Sequence, residues 1–337
     1  MSSELKSKTV VLLVNLGTPN QPTEKEVRIY LREFLSDKDV IRMPRILWLP
    51  ILHLIILRVR PKKSAELYKK VWTKWGSPLL YNTFLQAGLL RRKFHDDFVI
   101  DVAMRYGKPS IQSKMIEYHN LGYDNILFLP MFPQYSTTTT RSIANKISEV
   151  IKKQKIFIKN ESIKIIKDFH DNSDYIDASV SHIKAFQKKH GRPGKLLLSF
   201  HGIPKSYVAD DEPYQSQCIK TAELIASKLN LSKNKYEIVF QSRFGKAEWI
   251  QPYLAQRLET LPAEGINDIQ VYCPGFSSDC LETIEEIGDE SRDLFMESGG
   301  KSYKFIPCLN GDTNFINSLE SIIRDYKINS INFRDLV

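Results

Sequence analysis

The sequence lacks several features that would place it at once in a common protein class. Its longest apolar run, ILWLPILHLIIL at residues 46–57, has twelve residues, whereas about 20 are needed to cross a bilayer. The first residues, MSSELKSKTVVLLVNLG, contain no signal-peptide apolar region and no small-residue cleavage site. We therefore expect a cytoplasmic protein. The fingerprints GxGxxG and GxxxxGK[ST] are also missing, although Gly17-Thr18-Pro19 resembles a phosphate-loop position, so a nucleotide cofactor is disfavoured.

Cysteine is scarce, with four residues in 337: Cys218, Cys273, Cys280 and Cys308. No two of them form a CxxC pair, which argues against a zinc ribbon. So few thiols in so long a chain predict a reducing compartment and no disulfide framework.

Positive charge is in excess, because 48 Lys and Arg stand against 39 Asp and Glu, a formal net charge of +9. A basic surface suits nucleic acid, an anionic membrane face or small polyanions. The lysines are scattered, and no basic helix or aromatic-interleaved RNA motif is present, so nucleic acid is disfavoured.

The apolar run at residues 46–57 has two interpretations. It is either a buried core helix or an exposed apolar lip that docks on a membrane surface or takes in an apolar ligand. The basic residues that follow, Arg58, Arg60, Lys62 and Lys63, favour the lip, since they could meet lipid phosphates or ligand carboxylates.

Short apolar runs alternate with longer amphipathic stretches along the whole chain, and one of these stretches, Trp249–Leu261, is expected to be a helix. Continuously apolar runs are typical of strands buried on both faces of a parallel sheet. Alternation of such strands with helices predicts a doubly wound α/β fold, and the length suits two domains. We predict an N-terminal α/β domain at 1–170 that carries the lip and a C-terminal α/β domain at 171–311. A last helix at about 312–327 is expected to pack back on the first domain.

In such folds, ligands bind beyond the carboxyl ends of the strands, which directs attention to the residues that follow each predicted strand. The strand Lys195–Phe200 is followed by His201 and Gly202. A histidine at this position is either a loop residue bonded to backbone or a general base or metal ligand.

The strand Asp268–Cys273 is followed by PGFSSDCLETIEE, residues 274–286. Asp279 and Glu282 could form a capping box at a helix start. However, Glu282 and Glu286 share a helix face at i, i+4, with Glu285 close by. Several like charges on one turn repel one another, so this segment would gain from a bound cation.

Taken together, these segments resemble the ferrochelatase family, and its bacterial members in particular. The similarity extends from NLGTP at 15–19 to LNG at 309–311, and its most specific parts are SFHGIP at 199–204, FQSRFG at 240–245 and PGFSSDCLETIEE. PQYSTTTT at 133–140 and GSP at 76–78 support it. The resemblance implies two Rossmann-like, chelatase-like domains, each a parallel sheet flanked by helices, and an enzyme that inserts Fe²⁺ into protoporphyrin IX to give protohaem.

The resemblance also implies roles for individual residues. His201 and Glu282 correspond to the catalytic, metal-site pair, and Glu286 with Asp279 corresponds to an acidic relay beside it. His201 could be a ligand or a proton acceptor, and the sequence leaves both roles open. The residues that correspond to porphyrin contacts are Leu16, Arg60, Lys63, Ser77, Arg105, Tyr106 and Trp249.

Two departures from the family pattern stand out. Cys280 replaces a histidine that many members carry, so a metal role for this position is either absent or taken by a thiol. Animal members bind a [2Fe–2S] cluster, with one cysteine at the position of Thr137 and others beyond the core, whereas no Cys follows Cys308 here. We expect no such cluster and no tightly bound cofactor.

Three other functions compete with this interpretation. A non-catalytic tetrapyrrole carrier would keep apolar and aromatic walls but would not need His201 with Glu282. A Co²⁺ or Ni²⁺ chelatase of related fold would favour paired histidines and a more cationic pocket. A nucleotide-dependent oxidoreductase conflicts with the missing glycine-rich fingerprint. We expect a monomer, with peripheral contact to the inner membrane through residues 46–57.

Overall fold

A computed structural model describes residues 8–94, 98–157, 162–208, 212–245 and 247–337. The chain forms two compact units. Unit 1 comprises the described residues up to Phe132, together with Ser136–Asp168 and Leu319–Val337. Unit 2 comprises Pro133–Tyr135 and Phe169–Ser318. Within the described ranges, no helix has the length and apolar character needed to span a membrane.

The part of the chain that the structure describes contains nine strands, which form two sheets. They are β1 Thr9–Gly17, β2 Phe98–Tyr106, β3 Asn125–Pro130, β4 Ile163–Ile166, β5 Lys195–His201, β6 Tyr236–Gln241, β7 Asp268–Tyr272, β8 Ser302–Ile306 and β9 Ser330–Asn332.

The helices cover most of the described residues between these strands. They are α1 Glu24–Leu35, α2 Arg45–Ile51, α3 Leu57–Val71, α4 Pro78–Phe94, α5 Ile111–Asn120, α6 Ser142–Gln154, α7 Ser173–His190, α8 Tyr214–Lys228, α9 Leu254–Thr260, α10 Ser291–Glu297, α11 Thr313–Arg324 and α12 Tyr326–Asn329. The described residues also include three π-helical segments: π1 Leu52–Ile56, π2 Thr137–Arg141 and π3 Glu282–Glu290.

The sheet of unit 1 has the strand order β2-β1-β3-β4-β9. The first four strands are parallel, and β9 pairs antiparallel with β4 at the edge. Residues 10–14 of β1 have no exposed surface. This strand is apolar on both faces because it lies inside the sheet, with helices covering it. The sequence did not indicate β9, whose three residues are mostly polar and too short to show a period.

The sheet of unit 2 has the order β6-β5-β7-β8, and all of its strands are parallel. Two parallel sheets flanked by helices confirm the predicted α/β fold class. One helix is shorter than predicted: the amphipathic pattern suggested 249–261, but α9 begins at Leu254. Pro252 explains the late start, since a proline disfavours helical backbone at the residue before it. Trp249 therefore lies in the loop before α9.

The apolar lip, residues 46–57, is helical and lies within unit 1. It runs through α2 and π1 to the start of α3. One face packs inward, with Trp48 and Leu52 buried. The other face is open, with Ile46 84% exposed and Leu54 59% exposed. The segment is thus buried on one face, as expected of a core helix, and exposed on the other, while docking through the exposed face stays a prediction.

Candidate active site

Each sheet has its first strand between its second and third. In unit 2, β5 lies between β6 and β7, so the chain leaves β5 toward one side and later returns on the other. At such a switch point the connecting loops diverge and open a crevice at the carboxyl ends of the two central strands. The crevice of unit 2 is therefore expected where β5 and β7 end, at His201 and at the segment that starts with Pro274.

His201 is the last residue of β5 and is half-buried. Its Nδ1 lies 2.6 Å from the carbonyl oxygen of Gly202. A carbonyl oxygen only accepts, so Nδ1 carries the hydrogen and Nε2 keeps its lone pair. The backbone bond therefore fixes the tautomer in which Nε2 can act as a metal ligand or a base.

Trp249 lies beside His201, with 6.5 Å between the ring centroids. Its indole Nε1 donates to the carbonyl of Phe244 at 3.0 Å, and its backbone N–H donates to the Tyr253 hydroxyl at 3.1 Å. A Cβ at Gly202 would lie 3.1 Å from the Trp249 ring and 2.9 Å from the backbone oxygen of Gln241. The glycine thus allows the indole to approach the end of β5.

The acidic segment after β7 leads into π3, which begins at Glu282. π-Helical turns are rare and often occur at functional sites. The carboxylate of Asp279 accepts from the Cys308 backbone N–H at 3.0 Å, the Asn310 amide at 2.6 Å and the Thr283 hydroxyl at 3.2 Å. These contacts take the place of the expected capping box with Glu282. Asp279 therefore fixes the start of π3 against the loop that follows β8.

Glu286 is the most perturbed carboxyl group of this segment. The Ser242 hydroxyl lies 2.8 and 2.6 Å from its two oxygens, and the Gln241 amide lies 3.4 Å from one of them. Burial raises the pKa of Glu286 from 4.5 to about 7, with Glu282 and Glu290 adding to the rise, against the opposing hydrogen bonds from Ser242 and Gln241. At neutral pH this carboxyl group can hold or release a proton.

Gln241 links the histidine strand to the acidic helix. It is the β6 partner of His201, and its backbone oxygen accepts from the Gly202 N–H at 2.8 Å. Its side-chain amide donates to the backbone oxygen of Glu282 at 3.1 Å. In unit 2 the structure thus brings His201, Trp249, Glu282 and Glu286 to one edge of the sheet.

These groups form an open arrangement. Over the described ranges of the chain, the side chains of His201, Glu282 and Glu286 do not form a cluster with three ligand atoms within 4.8 Å of one another. A closed structural metal site would have such a cluster. Within the described residues, these three side chains therefore do not form a closed structural metal site.

Cys280 and the other three cysteines of the chain all lie in unit 2. All four cysteines are free and buried. Burial raises the pKa of Cys280 well above its usual value, with the charge of Glu282 adding to the rise. The thiolate is the form that binds metal, so a metal ion at Cys280 would have to displace this proton.

In unit 1, the predicted porphyrin contacts divide into accessible and buried residues. Leu16 is half-buried at the end of β1, Arg60 is half-buried on α3, and Lys63 is exposed on α3. Ser77 is buried, with 3% of its surface exposed, directly before α4. Porphyrin contact by these four residues stays a prediction.

Arg105 and Tyr106 are held in a buried network. Arg105 forms an ion pair with Asp37 and donates through Nε to the Ser142 hydroxyl at 2.7 Å. The Tyr106 hydroxyl donates to Asp37 at 2.8 Å, and the side chain has no exposed surface. This placement argues against direct porphyrin contact by Tyr106 and gives Arg105 a structural partner instead.

Sequence reasoning missed Gln241, Ser242 and Asp37 as members of these networks. Gln241 and Ser242 belong to the FQSRFG segment, and their position at the end of a predicted strand was the available signal. Asp37 carries no comparable signal, because its partner Arg105 is 68 residues away.

The sequence model of the ferrochelatase family, described as "Ferrochelatase", matches residues 8–327. This chain belongs to the ferrochelatase family. The ferrochelatase of Idiomarina loihiensis is 45% identical over 319 residues, covering 94% of this chain and 87% of the relative. That of Wigglesworthia glossinidia brevipalpis is 45% identical over 325 residues, covering 96% and 99%.

Solved structures agree on the fold. SirB from Bacillus subtilis with Fe³⁺ superposes with a TM-score of 0.52 at 13% identity and covers 96% of both chains. The sirohydrochlorin chelatase SirB of Bacillus subtilis subspecies spizizenii, in complex with cobalt, gives 0.50 at 11% identity over 94% of both chains. At these identities the likeness shows a chelatase-like fold and nothing about the substrate.

Proposed function

We propose that this protein inserts Fe²⁺ into protoporphyrin IX and releases protohaem and two protons. One observation carries the proposal: Gln241 pairs with His201 in the sheet and bonds the first residue of π3, Glu282. An imidazole and a carboxylate at one sheet edge are suitable ligands for Fe²⁺. Membership of the ferrochelatase family supports the same reaction.

The reaction asks three things of these residues: Fe²⁺ must lose water, the two pyrrole N–H protons must leave, and the macrocycle must bend. His201 Nε2 and the Glu282 carboxylate can replace water on the metal ion. An imidazole can instead accept a pyrrole proton near neutral pH. We assign ring distortion to binding energy from the apolar and aromatic walls, Leu16 and Trp249 among them.

Glu286 suits the removal of protons. A carboxyl group whose pKa is about 7 exchanges protons readily at the pH of a cell, whereas an ordinary glutamate is ionised throughout that range. We propose that Glu286 takes protons released at the macrocycle and passes them on, with Glu290, exposed at the end of π3, as the next acceptor. Asp279 acts in this scheme by holding the start of the helix.

The exposed face of the lip suits an apolar environment. Ile46, Leu47, Leu54 and Ile55 are each more than half exposed, and Arg58, Lys62 and Lys63 follow on α3. We propose that this face makes peripheral contact with an anionic membrane. We also propose that Arg60, Lys63 and Ser77 contact the porphyrin propionates. Cosedimentation with vesicles that contain anionic lipid should fall strongly when Leu54 and Ile55 are both changed to Ser; unchanged binding would contradict the membrane contact.

The remaining properties are testable by simple solution methods. We propose a cytoplasmic monomer without an iron–sulfur cluster or another tightly bound cofactor. Light scattering should give a mass near 39 kDa, the mass of one chain. The visible spectrum of protein purified without air should lack cluster absorbance.

The function itself is tested by an anaerobic assay with protoporphyrin IX and Fe²⁺, followed through the metalloporphyrin spectrum. We expect turnover by the wild type and a loss of at least about 100-fold in His201→Ala and Glu282→Ala. Glu297→Ala, an exposed glutamate at the end of α10, is the matched control and should retain activity. Tight porphyrin binding without turnover by the wild type would favour a tetrapyrrole carrier.

A further inference from the structure

Gln241 is a buried polar residue whose side chain bonds both the strand of His201 and the helix of Glu282. It ends β6, has 3% of its surface exposed and pairs with His201 on the neighbouring strand. A buried amide costs free energy unless its oxygen and nitrogen both find partners. The identity of those partners shows what the side chain can hold in place.

The amide oxygen faces the sheet. It accepts from the Ser199 hydroxyl at 2.8 Å, and the Cys273 thiol lies 3.7 Å away. Both groups can donate, and the serine is fully buried. This environment fixes which end of the amide is oxygen and turns the NH₂ group toward π3.

The amide nitrogen faces the acidic helix. It donates to the backbone oxygen of Glu282 at 3.1 Å and lies 3.4 Å from a Glu286 carboxylate oxygen. A chain of hydrogen bonds therefore runs from Ser199 in β5 through Gln241 to the first turn of π3. It ties the helix that carries both carboxylates to the strand pair that carries His201.

Ser242 adds a second attachment. Its backbone has a φ of 65°, a left-handed conformation that is uncommon for a residue other than glycine. The conformation places its hydroxyl within 2.8 Å of both Glu286 oxygens. Such backbone strain persists where surrounding contacts hold it, and it is concentrated at functional sites.

We propose that Gln241 is a positioning residue that holds the first turn of π3 in register with His201, so that its loss weakens capture of the metal ion rather than binding of the porphyrin. The inference rests on the proposed metal-insertion function. Its physical basis is that contacts behind a metal ligand fix the ligand's orientation, and their removal commonly costs 10- to 100-fold in affinity or activity.

The test compares Gln241→Met with Gln270→Met. Methionine keeps the length of the side chain and removes both hydrogen-bonding groups. Gln270 is a matched control because it is also a fully buried strand glutamine, in β7, and its amide donates to the Gly191 backbone oxygen at 2.8 Å, away from π3. Ser199→Ala is a third variant, which removes the hydroxyl that orients Gln241 without touching the helix.

Three quantities should be measured: kcat and KM for Fe²⁺, the Kd for protoporphyrin IX from fluorescence quenching, and Zn²⁺ binding by calorimetry without porphyrin, with His201→Ala as the reference. In Gln241→Met we expect kcat/KM for the metal to fall about 10- to 100-fold, mostly through KM, with the porphyrin Kd within about twofold of the wild type. Ser199→Ala should shift the metal KM in the same direction by a smaller factor. Gln270→Met should lower the melting temperature and leave the metal KM unchanged.

The inference is overturned if Gln241→Met keeps the wild-type metal KM and Zn²⁺ affinity, or if Gln270→Met shifts them equally, since general loosening would then explain the effect. A wild type that shows no turnover would contradict the proposed function instead. Zn²⁺ binding would still test the inference in that case, because it does not depend on turnover.

Discussion

The two units repeat one topology and use it differently. Their sheets share the order second-first-third-fourth strand, β2-β1-β3-β4 and β6-β5-β7-β8, and each has a glycine where the first strand ends. Unit 1 adds an exposed apolar lip, whereas unit 2 adds a histidine and an acidic π-helix. A repeated fold thus fixes where a ligand crevice can form, while the residues after the strands decide its chemistry.

The carboxylates of Asp37 in unit 1 and Glu286 in unit 2 show the same contrast. Asp37 in unit 1 is held by the guanidinium of Arg105 and by two hydroxyl groups. Glu286 in unit 2 is held by a hydroxyl and an amide, with two further glutamates nearby, and its pKa rises to about 7. A cation stabilises a buried carboxylate, while neutral donors beside like charges leave it ready to take up a proton.

The largest expected loss of stability comes from substitution of Gly17 in unit 1, which is compared with Gly202 at the corresponding strand end of unit 2. Gly17 has a φ of +116°, and a Cβ there would lie 1.8 Å from the Tyr106 carbonyl oxygen. Gly17→Ala should therefore lower the free energy of unfolding by more than about 4 kcal/mol, because both backbone strain and a backbone clash oppose it. Urea unfolding monitored by circular dichroism measures this.

Gly202→Ala is the matched variant in unit 2. Its Cβ would lie 2.9 Å from the backbone oxygen of Gln241 and 3.1 Å from the Trp249 ring, a milder clash than the 1.8 Å contact at Gly17, and Gly202 has no positive φ. We expect a smaller loss of stability, roughly 1–2 kcal/mol, together with a larger loss of activity than of stability. Equal losses of stability in Gly17→Ala and Gly202→Ala would show that the two strand ends are under the same constraint.

Substitution of Arg105 tests whether this residue of unit 1 stabilises the fold or contacts the porphyrin. Arg105→Met leaves Asp37 without its cation, so the free energy of unfolding should fall by about 3 kcal/mol. Asp37→Asn in the same chain should recover part of this loss, because the uncompensated charge is removed. Urea unfolding of the single and double variants gives the coupling energy. A porphyrin Kd that rises more than tenfold with stability unchanged would contradict the structural role.

Glu286 gives a smaller, pH-dependent effect in unit 2. Between pH 4.5 and about 7 the folded protein keeps a proton that the unfolded chain has released, so ionisation of this group lowers stability as pH rises through that window. Glu286→Gln removes the dependence. Its stability relative to the wild type should increase from pH 5 to pH 8 by at most about 3 kcal/mol. Urea unfolding of both proteins at pH 5 and pH 8 measures this difference in the free energy of unfolding. A difference that is the same at both pH values, or smaller at pH 8, would contradict the prediction.

The sequence was sufficient for the fold class because buried parallel strands are continuously apolar, as residues 10–14 of β1 illustrate. It placed Trp249 on a helix because the amphipathic pattern continued past Pro252, whose effect on the preceding residue was overlooked. The edge strand β9 left no pattern at all. Such short elements are determined by the sheet they join rather than by their own residues.

Candidate site residues could be predicted where a reactive side chain comes soon after a predicted strand, as His201 and Glu282 do. The buried environment of Tyr106 could not be predicted, because it depends on Asp37, which is far away in the sequence. Gln241 was overlooked because the role of a glutamine in a strand depends on its hydrogen-bond partners, which the sequence does not reveal. Long-range hydrogen-bond networks are the part of a site that a single sequence does not display.

The central claim, that His201 and the acidic helix of unit 2 insert the metal ion while porphyrin binding draws on other residues, Trp249 among them, is tested most directly by one single-turnover measurement. His201→Ala and the wild type are loaded with protoporphyrin IX, its Kd is measured by fluorescence, and Fe²⁺ is then added without air. We predict a Kd within about twofold of the wild type and an insertion rate at least about 100-fold lower. An insertion rate near that of the wild type, or a rate lost only because porphyrin no longer binds, would contradict the account.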